Sequence, residues 1–138
     1  MGNAECGMRN AQNAAGEGAT EKLSDLRERT KLYALSLMKL SDSLPRARSA
    51  GIIARQLIRS ATSVGANYRA ACRARSKAEF ISKMGIVEEE ADECLYWLEL
   101  IAGAGYANDK VIRPLAREGN ELVSIVVASI KTARDGAK

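Results

Sequence analysis

Histidine is absent from this sequence of 138 residues, and several other residue types are scarce. Without histidine there is no imidazole base, no histidine metal ligand, and no Ser–His or Cys–His pair for nucleophilic catalysis. The three cysteines, Cys6, Cys72 and Cys94, lack Cys-x-x-Cys spacing, so we interpret them as reduced thiols. The sequence therefore predicts no catalytic residue, no metal site and no cofactor.

Long apolar runs are missing as well. No segment approaches the roughly 18–20 apolar residues of a membrane span, and the first residues lack the apolar core of a signal peptide. Residues 1–20 are rich in Gly, Ala, Asn and Gln, without periodic apolar residues that could offset the entropy of ordering. We expect a cytoplasmic protein with no membrane association, a loosely ordered tail over 1–20 and one helical domain over 21–138.

From Glu21 onward, apolar residues recur at alternating steps of three and four, which is the spacing of one face of an α-helix. The first predicted helix runs from about 21 to 44. Pro45 separates it from a second helix over about 46–75, because proline disfavours helical geometry in the preceding residue and suits the start of a helix.

Two further helices have recognisable ends. Ser76-Lys77-Ala78-Glu79 fits a capping box that would begin the third helix. Gly103 and Gly105 are expected to end it by adopting the left-handed conformation. Asn108 or Asp109 can cap the fourth helix, which would run to about residue 134.

The spacing also predicts which residues form the core. Short connections make sequential helices antiparallel, so the expected fold is all-α, an antiparallel up-down-up-down four-helix bundle. The expected core positions are Leu23, Leu26, Thr30, Tyr33, Leu37, Leu40 and Leu44, then Ile53, Leu57, Ser60, Val64, Tyr68 and Ala71, then Phe80, Met84, Val87, Ala91, Cys94, Leu98 and Ile101, and finally Leu115, Leu122, Ile125, Val126, Ser129 and Ile130.

Charge is distributed unevenly along the chain. Residues 46–77 contain eight cations and no acid, whereas residues 79–99 contain seven acids and one cation. At about 100° per residue, five arginines of the second helix fall within roughly one third of its circumference, opposite the core positions. These five residues, called the basic face below, are Arg48, Arg55, Arg59, Arg69 and Arg73.

A line of guanidinium groups can contact successive phosphates of a nucleic acid, and Arg75 and Lys77 would extend that surface. Few aromatic residues accompany it, which favours backbone contact over base reading. The alternative is a solvated face that Glu88 to Glu93 neutralise, in the same chain or in a neighbouring subunit.

Three other features are interpreted as structural. The acidic run Glu88–Glu93 lacks the Glu-x-x-His pairs of bundle metal sites, so ion pairs are favoured over a metal-dependent enzyme. The small residues of segment 60–67 are expected to let helices approach closely. Tyr96 and Trp97 lie beside the core positions of the third helix, and an exposed tryptophan there would indicate a subunit interface.

Three segments in this order resemble the four helix bundle protein family, also called the 23S rRNA intervening-sequence protein family. They are residues 59–69 (RSATSVGANYR), 75–81 (RSKAEFI) and 90–98 (EADECLYWL), within a match from about Leu23 to Arg134. At Ala70 many relatives carry an acid, so this helix is more uniformly basic. The resemblance implies a non-enzymatic bacterial cytoplasmic protein that forms a homo-oligomer, typically a pentamer. The related accessory variability determinant of diversity-generating retroelements binds a reverse transcriptase and nucleic acid.

Two functions are compatible with these residues. In the first, a homo-oligomeric scaffold binds RNA or DNA phosphates through the basic face, alone or together with a protein partner. In the second, the basic helix of one subunit meets the acidic helix of the next, and the charges serve assembly only.

Overall fold

The structure, a computed structural model, describes residues 26–136, and within that range the chain is helical with no strand. Helix α1 occupies 26–43 of the described residues, and the other helices are α2 (Arg48–Cys72), α3 (Lys77–Gly103) and α4 (Asp109–Asp135). This confirms the predicted all-α four-helix fold. The predicted tail over 1–20, Cys6 and the predicted helix start at Glu21 lie outside the described residues.

The helices pack so that each contacts the next along the chain. Ser49, at the start of α2, meets Tyr106, just after α3, with their hydroxyl oxygens 2.5 Å apart. Further along α2, Arg59 contacts an earlier residue of α3, Glu93, so these two helices run in opposite directions. Helix α3 also packs against α4. Arg29 of α1 reaches α4, and this contact closes the bundle.

The predicted caps of α3 and α4 are confirmed. Ser76 Oγ accepts a hydrogen bond from the Glu79 N–H at 3.1 Å, while the Glu79 carboxylate accepts from the Arg75 N–H at 2.5 Å. Asn108 Oδ1 accepts from the Val111 N–H at 3.1 Å, so Asn108 is the cap of α4. These side chains satisfy amide groups that a helix start leaves without an intrahelical partner.

Helix ends differ from the sequence prediction in two places. Helix α2 is shorter than the predicted 46–75 at both ends. At its C-terminus the Arg73 and Ala74 N–H groups bond to the carbonyls three residues earlier, a tightening that ends the helix. Of the two glycines expected to stop α3, only Gly105 is left-handed, with φ of 72°, whereas Gly103 is the last residue of the helix itself.

The core follows the predicted pattern closely. Leu57, Val64, Met84 and other expected positions are fully buried, and Thr30, Ser60 and Ser129 are buried polar members among them. Ile53, Leu115 and Leu44 are only partly buried, packed against the edge of the core.

None of the helices within residues 26–136 has both the length and the apolar character needed to cross a bilayer.

Candidate nucleic-acid interface

The outer face of α2 carries the five arginines that define the basic face. Leu57, Val64 and Tyr68 turn the opposite side of the helix into the core. Helical spacing therefore directs the guanidinium groups away from the bundle. Arg48, Arg55, Arg59, Arg69, Arg73 and the neighbouring Arg75 are exposed, whereas Lys77 is partly buried at the start of α3.

Arg59 is held by two carboxylates of α3. Its guanidinium donates to the two Glu90 carboxylate oxygens at 3.1 and 3.2 Å and also to Glu93. The hydrogen bonds to Glu90 raise the pKa of the Arg59 guanidinium most, and the hydrogen bond to Glu93 raises it further. Glu93 accepts in addition from the indole N–H of Trp97 at 3.1 Å. One member of the basic face is thus neutralised within its own chain.

The other four members of the basic face have no neutralising carboxylate beside them among residues 26–136. Within residues 26–136, none of these four arginines forms an ion pair with a carboxylate, and the same is true of Arg75. Arg48 and Arg73 are about 37 Å apart along the helix axis, at about 1.5 Å per residue. The open charges therefore extend over a distance that spans several phosphates of a nucleic acid.

The acidic residues of α3 are divided between two environments. Glu90 and Glu93 are turned toward Arg59, whereas Glu89, Asp92 and Glu99 are exposed on the outer face. In the part of the chain that the structure describes, no three His, Cys, Asp or Glu side chains come together as a set of metal ligands. Helices α2 and α3 therefore present adjacent outer faces of opposite charge.

The two aromatic residues proposed for a subunit interface differ in exposure. Tyr96 is 53% exposed. Trp97 is partly buried against the core and packs edge-on against the Tyr96 ring, with centroids 5.2 Å apart. Trp97 is thus only partly exposed, because the indole both covers the core and hydrogen-bonds Glu93.

Some small residues of α2 form hydrogen bonds, and others let a neighbouring helix approach closely. Ser60 lies in the buried seam with α3, where it accepts a hydrogen bond from the Cys94 thiol at 3.5 Å. Burial raises the pKa of that thiol to about 11. The side-chain amide of Asn67 donates a hydrogen bond to the Ser63 carbonyl of the same helix, and not to a neighbouring helix. Gly65 lies close to Thr30 of α1, as expected of a small residue between helices.

Sequence reasoning missed two features because both depend on α1. One is the contact of Arg29 with Glu118 and Glu121 of α4. The other is a groove of about 680 Å³ between α1 and α2, lined in part by Arg27, Lys31 and Arg69. Arg27 and Lys31 lie on α1, where the sequence pattern predicts core residues but no surface site.

Fold and surface together define a small four-helix bundle with one basic and one acidic outer face. Residues 23–128 match the family described as 23S rRNA-intervening sequence protein. The chain belongs to this family, which confirms the resemblance noted from its sequence motifs.

A solved structure supports the same assignment. The chain is similar to a protein of unknown function from the S23 ribosomal protein family of Bacteroides thetaiotaomicron, with 30% sequence identity and a TM-score of 0.73. The similarity covers 78% of this chain and 96% of that chain. No curated protein matches the chain in a sequence comparison.

Proposed function

We propose that this protein is a non-enzymatic homo-oligomer that binds the phosphates of RNA or DNA through the basic face. The observation that carries the proposal is the open charge on α2: four of its five aligned arginines are exposed and form no ion pair within residues 26–136. Arginine suits this role because its planar guanidinium donates two parallel hydrogen bonds to a phosphate.

The distribution of the charge supports contact with a nucleic-acid backbone. Helix α2 has no acidic residue, and the exposed neighbours of its arginines include Thr62 and Ala66, which neither repel phosphates nor read bases. Binding of this kind positions a nucleic acid without sequence selection. The name of the family refers to 23S rRNA, which makes structured RNA the first ligand to test.

The test is a fluorescence-anisotropy titration of structured RNA at several salt concentrations. Arg55→Glu combined with Arg73→Glu reverses two open charges at separate points of the basic face. We expect affinity to fall roughly tenfold or more and the slope of log affinity against log salt to flatten by about two.

A matched control separates the basic face from net charge. Arg117→Glu combined with Arg134→Glu makes the same charge change at exposed positions of α4. This variant should bind RNA nearly as well as the unchanged protein. Equal losses in the two variants would mean that overall charge, and not the outer face of α2, governs binding.

A second candidate function is assembly alone, and the acidic face favours it. Exposed Glu89, Asp92 and Glu99 on α3 complement the arginines on α2, and Tyr96 is exposed among them. The basic face of one subunit would then meet the acidic face of the next, as an interface of opposite charges. Under this alternative the arginines are covered in the oligomer and contact no nucleic acid.

A charge swap distinguishes the two functions. If the arginines serve assembly, Arg55→Glu with Arg73→Glu should dissociate the oligomer in size-exclusion chromatography with light scattering. Adding Glu89→Lys and Asp92→Lys to the same chain should then restore assembly, because the complementary charges are exchanged. If the arginines bind RNA, the oligomer should survive the first pair, and the added lysines should not restore the lost affinity.

A further inference from the structure

Small residues of α2, with Ala34 of α1, leave room for a groove between these helices, and Leu35 adds an apolar side chain to its α1 side. Thr62, Gly65 and Ala66 line it on α2, and Ala34 lines it on α1. The two helices are in close contact beneath it, since a Cβ atom at Gly65 would lie 3.3 Å from Thr30 Oγ1. The volume of about 680 Å³ is within the range of about 300–1,000 Å³ that small-molecule sites occupy.

Cations surround this groove and connect it to the basic face. Arg27 and Lys31 approach from α1, and Arg69 approaches from α2. Arg69 also belongs to the basic face, so a chain that lies along the outer surface of α2 passes the mouth of the groove. Glu28 is the acid that lines the groove. The local charge is therefore positive, with one strong acceptor among three donors.

The polar groups inside the groove are arranged as acceptors. Thr30 Oγ1 donates its proton to the Arg27 carbonyl at 3.2 Å, and Thr62 Oγ1 donates to the Ile58 carbonyl at 2.8 Å. Each hydroxyl oxygen can still accept a hydrogen bond, but its proton is already used. Together with Glu28 they offer acceptors, whereas the arginines and the lysine offer only donors.

This combination of cations and acceptors fits a whole nucleotide better than it fits a free phosphate or an apolar molecule. A free phosphate would pair with the cations but would leave the Thr30, Thr62 and Glu28 acceptors without a donor, and an apolar molecule would pair with neither the cations nor the acceptors. A nucleotide brings an anionic phosphate for the cations and a base whose N–H groups can donate to the acceptors. Its planar face can also stack on a guanidinium group.

We propose that the groove binds a single unpaired nucleotide of the nucleic acid whose backbone lies on the basic face. This inference rests on the proposed function and narrows its ligand to chains that contain unpaired residues. A base within a duplex is already paired and stacked, and it cannot enter the groove without being flipped out.

The experiment compares a short single-stranded RNA with the blunt duplex of the same sequence in anisotropy titrations at one salt concentration. Ala34→Leu fills the groove from the α1 side without changing charge, and Lys31→Ala removes a cation from the same helix. Each should weaken binding of the single strand by roughly tenfold, the order of one stacked base. Neither should weaken binding of the duplex by more than about twofold.

The control variants are Ala128→Leu and Lys131→Ala, which make the same changes at exposed positions of α4. They should leave both affinities unchanged, and thermal unfolding should show that all four variants fold. If the groove variants affect both RNAs equally, or neither, the groove does not bind a nucleotide.

The charge reversal Arg55→Glu with Arg73→Glu distinguishes failure of the groove proposal from failure of the proposal for the basic face. If that reversal weakens both RNAs while the groove variants do nothing, the basic face stands and the groove is overturned. If only the groove variants act, and only on the single strand, the groove binds a nucleotide, but the basic face and the path of the backbone along it are overturned. If the unchanged protein binds neither RNA, both proposals are wrong.

Discussion

Two arginines on different sides of the bundle are each held by two glutamates of a neighbouring helix. Arg29 of α1 donates to Glu118 of α4 at 2.7 and 3.1 Å and lies 3.2 Å from Glu121. Arg59 of α2 is bound in the same way by Glu90 and Glu93 of α3. The side chain of Arg29 is 17% exposed, whereas that of Arg59 is 49% exposed.

This difference in exposure separates two roles for the same arrangement. An ion pair shielded from water has a stronger electrostatic interaction than one in contact with solvent, where water and salt screen the charges. The α1–α4 pair therefore helps to hold the helices together. The α2–α3 pair contributes little to stability, and its main effect is to remove one cation from the basic face.

The largest expected effect concerns the packing of the α1–α4 seam. A Cβ atom at Gly119 would lie 2.5 Å from Tyr33 Oη and 2.8 Å from Leu95 Cδ2. Gly119→Ala should therefore lower the free energy of unfolding by about 1–3 kcal/mol, measured by urea denaturation. Gly51→Ala is the control, because nothing lies within 4 Å of its Cβ position. That variant should gain about 0.5–1 kcal/mol from helix propensity, and equal losses at both sites would contradict the close contact at Gly119.

Alanine substitution of each arginine compares the two sets of arginine–glutamate ion pairs directly. Arg29→Ala should lower the free energy of unfolding by about 1–2 kcal/mol, because it leaves Glu118 partly buried without its partner. Arg59→Ala should lower it by less than about 1 kcal/mol, as is usual for exposed ion pairs. Urea denaturation of the two variants checks the order, and a larger loss for Arg59→Ala would reverse our assignment of roles.

Removing the acids that hold Arg59 should restore it to the basic face. Glu90→Gln with Glu93→Gln is expected to raise RNA affinity roughly threefold to tenfold. The slope of log affinity against log salt should steepen by about one, the contribution of one added phosphate contact. Glu89→Gln with Asp92→Asn removes the same charge from acids that form no ion pair within residues 26–136. Equal gains in the two variants would show that net charge, and not the release of Arg59, is responsible.

A separate effect, absent at neutral pH, is a loss of stability at alkaline pH. Burial raises the pKa of the Cys94 thiol from 9.0 to about 11, and burial also raises the pKa of Tyr33 in the α1–α4 seam. Because folding favours the neutral thiol, its contribution is complete below the unfolded pKa and is lost as pH rises from about 9.0 toward about 11. Cys94→Ala should flatten the decline of urea-unfolding stability in that pH window, whereas an unchanged slope would contradict it.

Periodicity predicted most of the fold. Leu57, Val64 and Met84 were assigned to the core from their spacing alone and are fully buried. The caps at Ser76 and Asn108 were also predictable, because a cap is a contact between residues three apart in the sequence. Such local interactions depend little on the rest of the chain.

The candidate site was predictable only in part. The outward direction of the basic face follows from helix geometry, but the pairing of Arg59 with α3 does not, since it depends on which residues the packed helices bring together. The partial burial of Trp97 and the groove beside Arg69 have the same origin. Arg29 and Glu118 are 89 positions apart in the sequence, and no local pattern indicates that they meet.

The sequence by itself determined that this chain forms helices, which sides of them are buried, and that α2 turns its arginines outward. Those properties arise from the helical repeat of about 3.6 residues and from the exclusion of apolar surface from water. Only the tertiary structure decided which charges remain open, because ion pairs and grooves form between helices whose alignment is set by the packing of all four. Arg59 is neutralised and Arg69 is not, although both lie on the same face of the same helix.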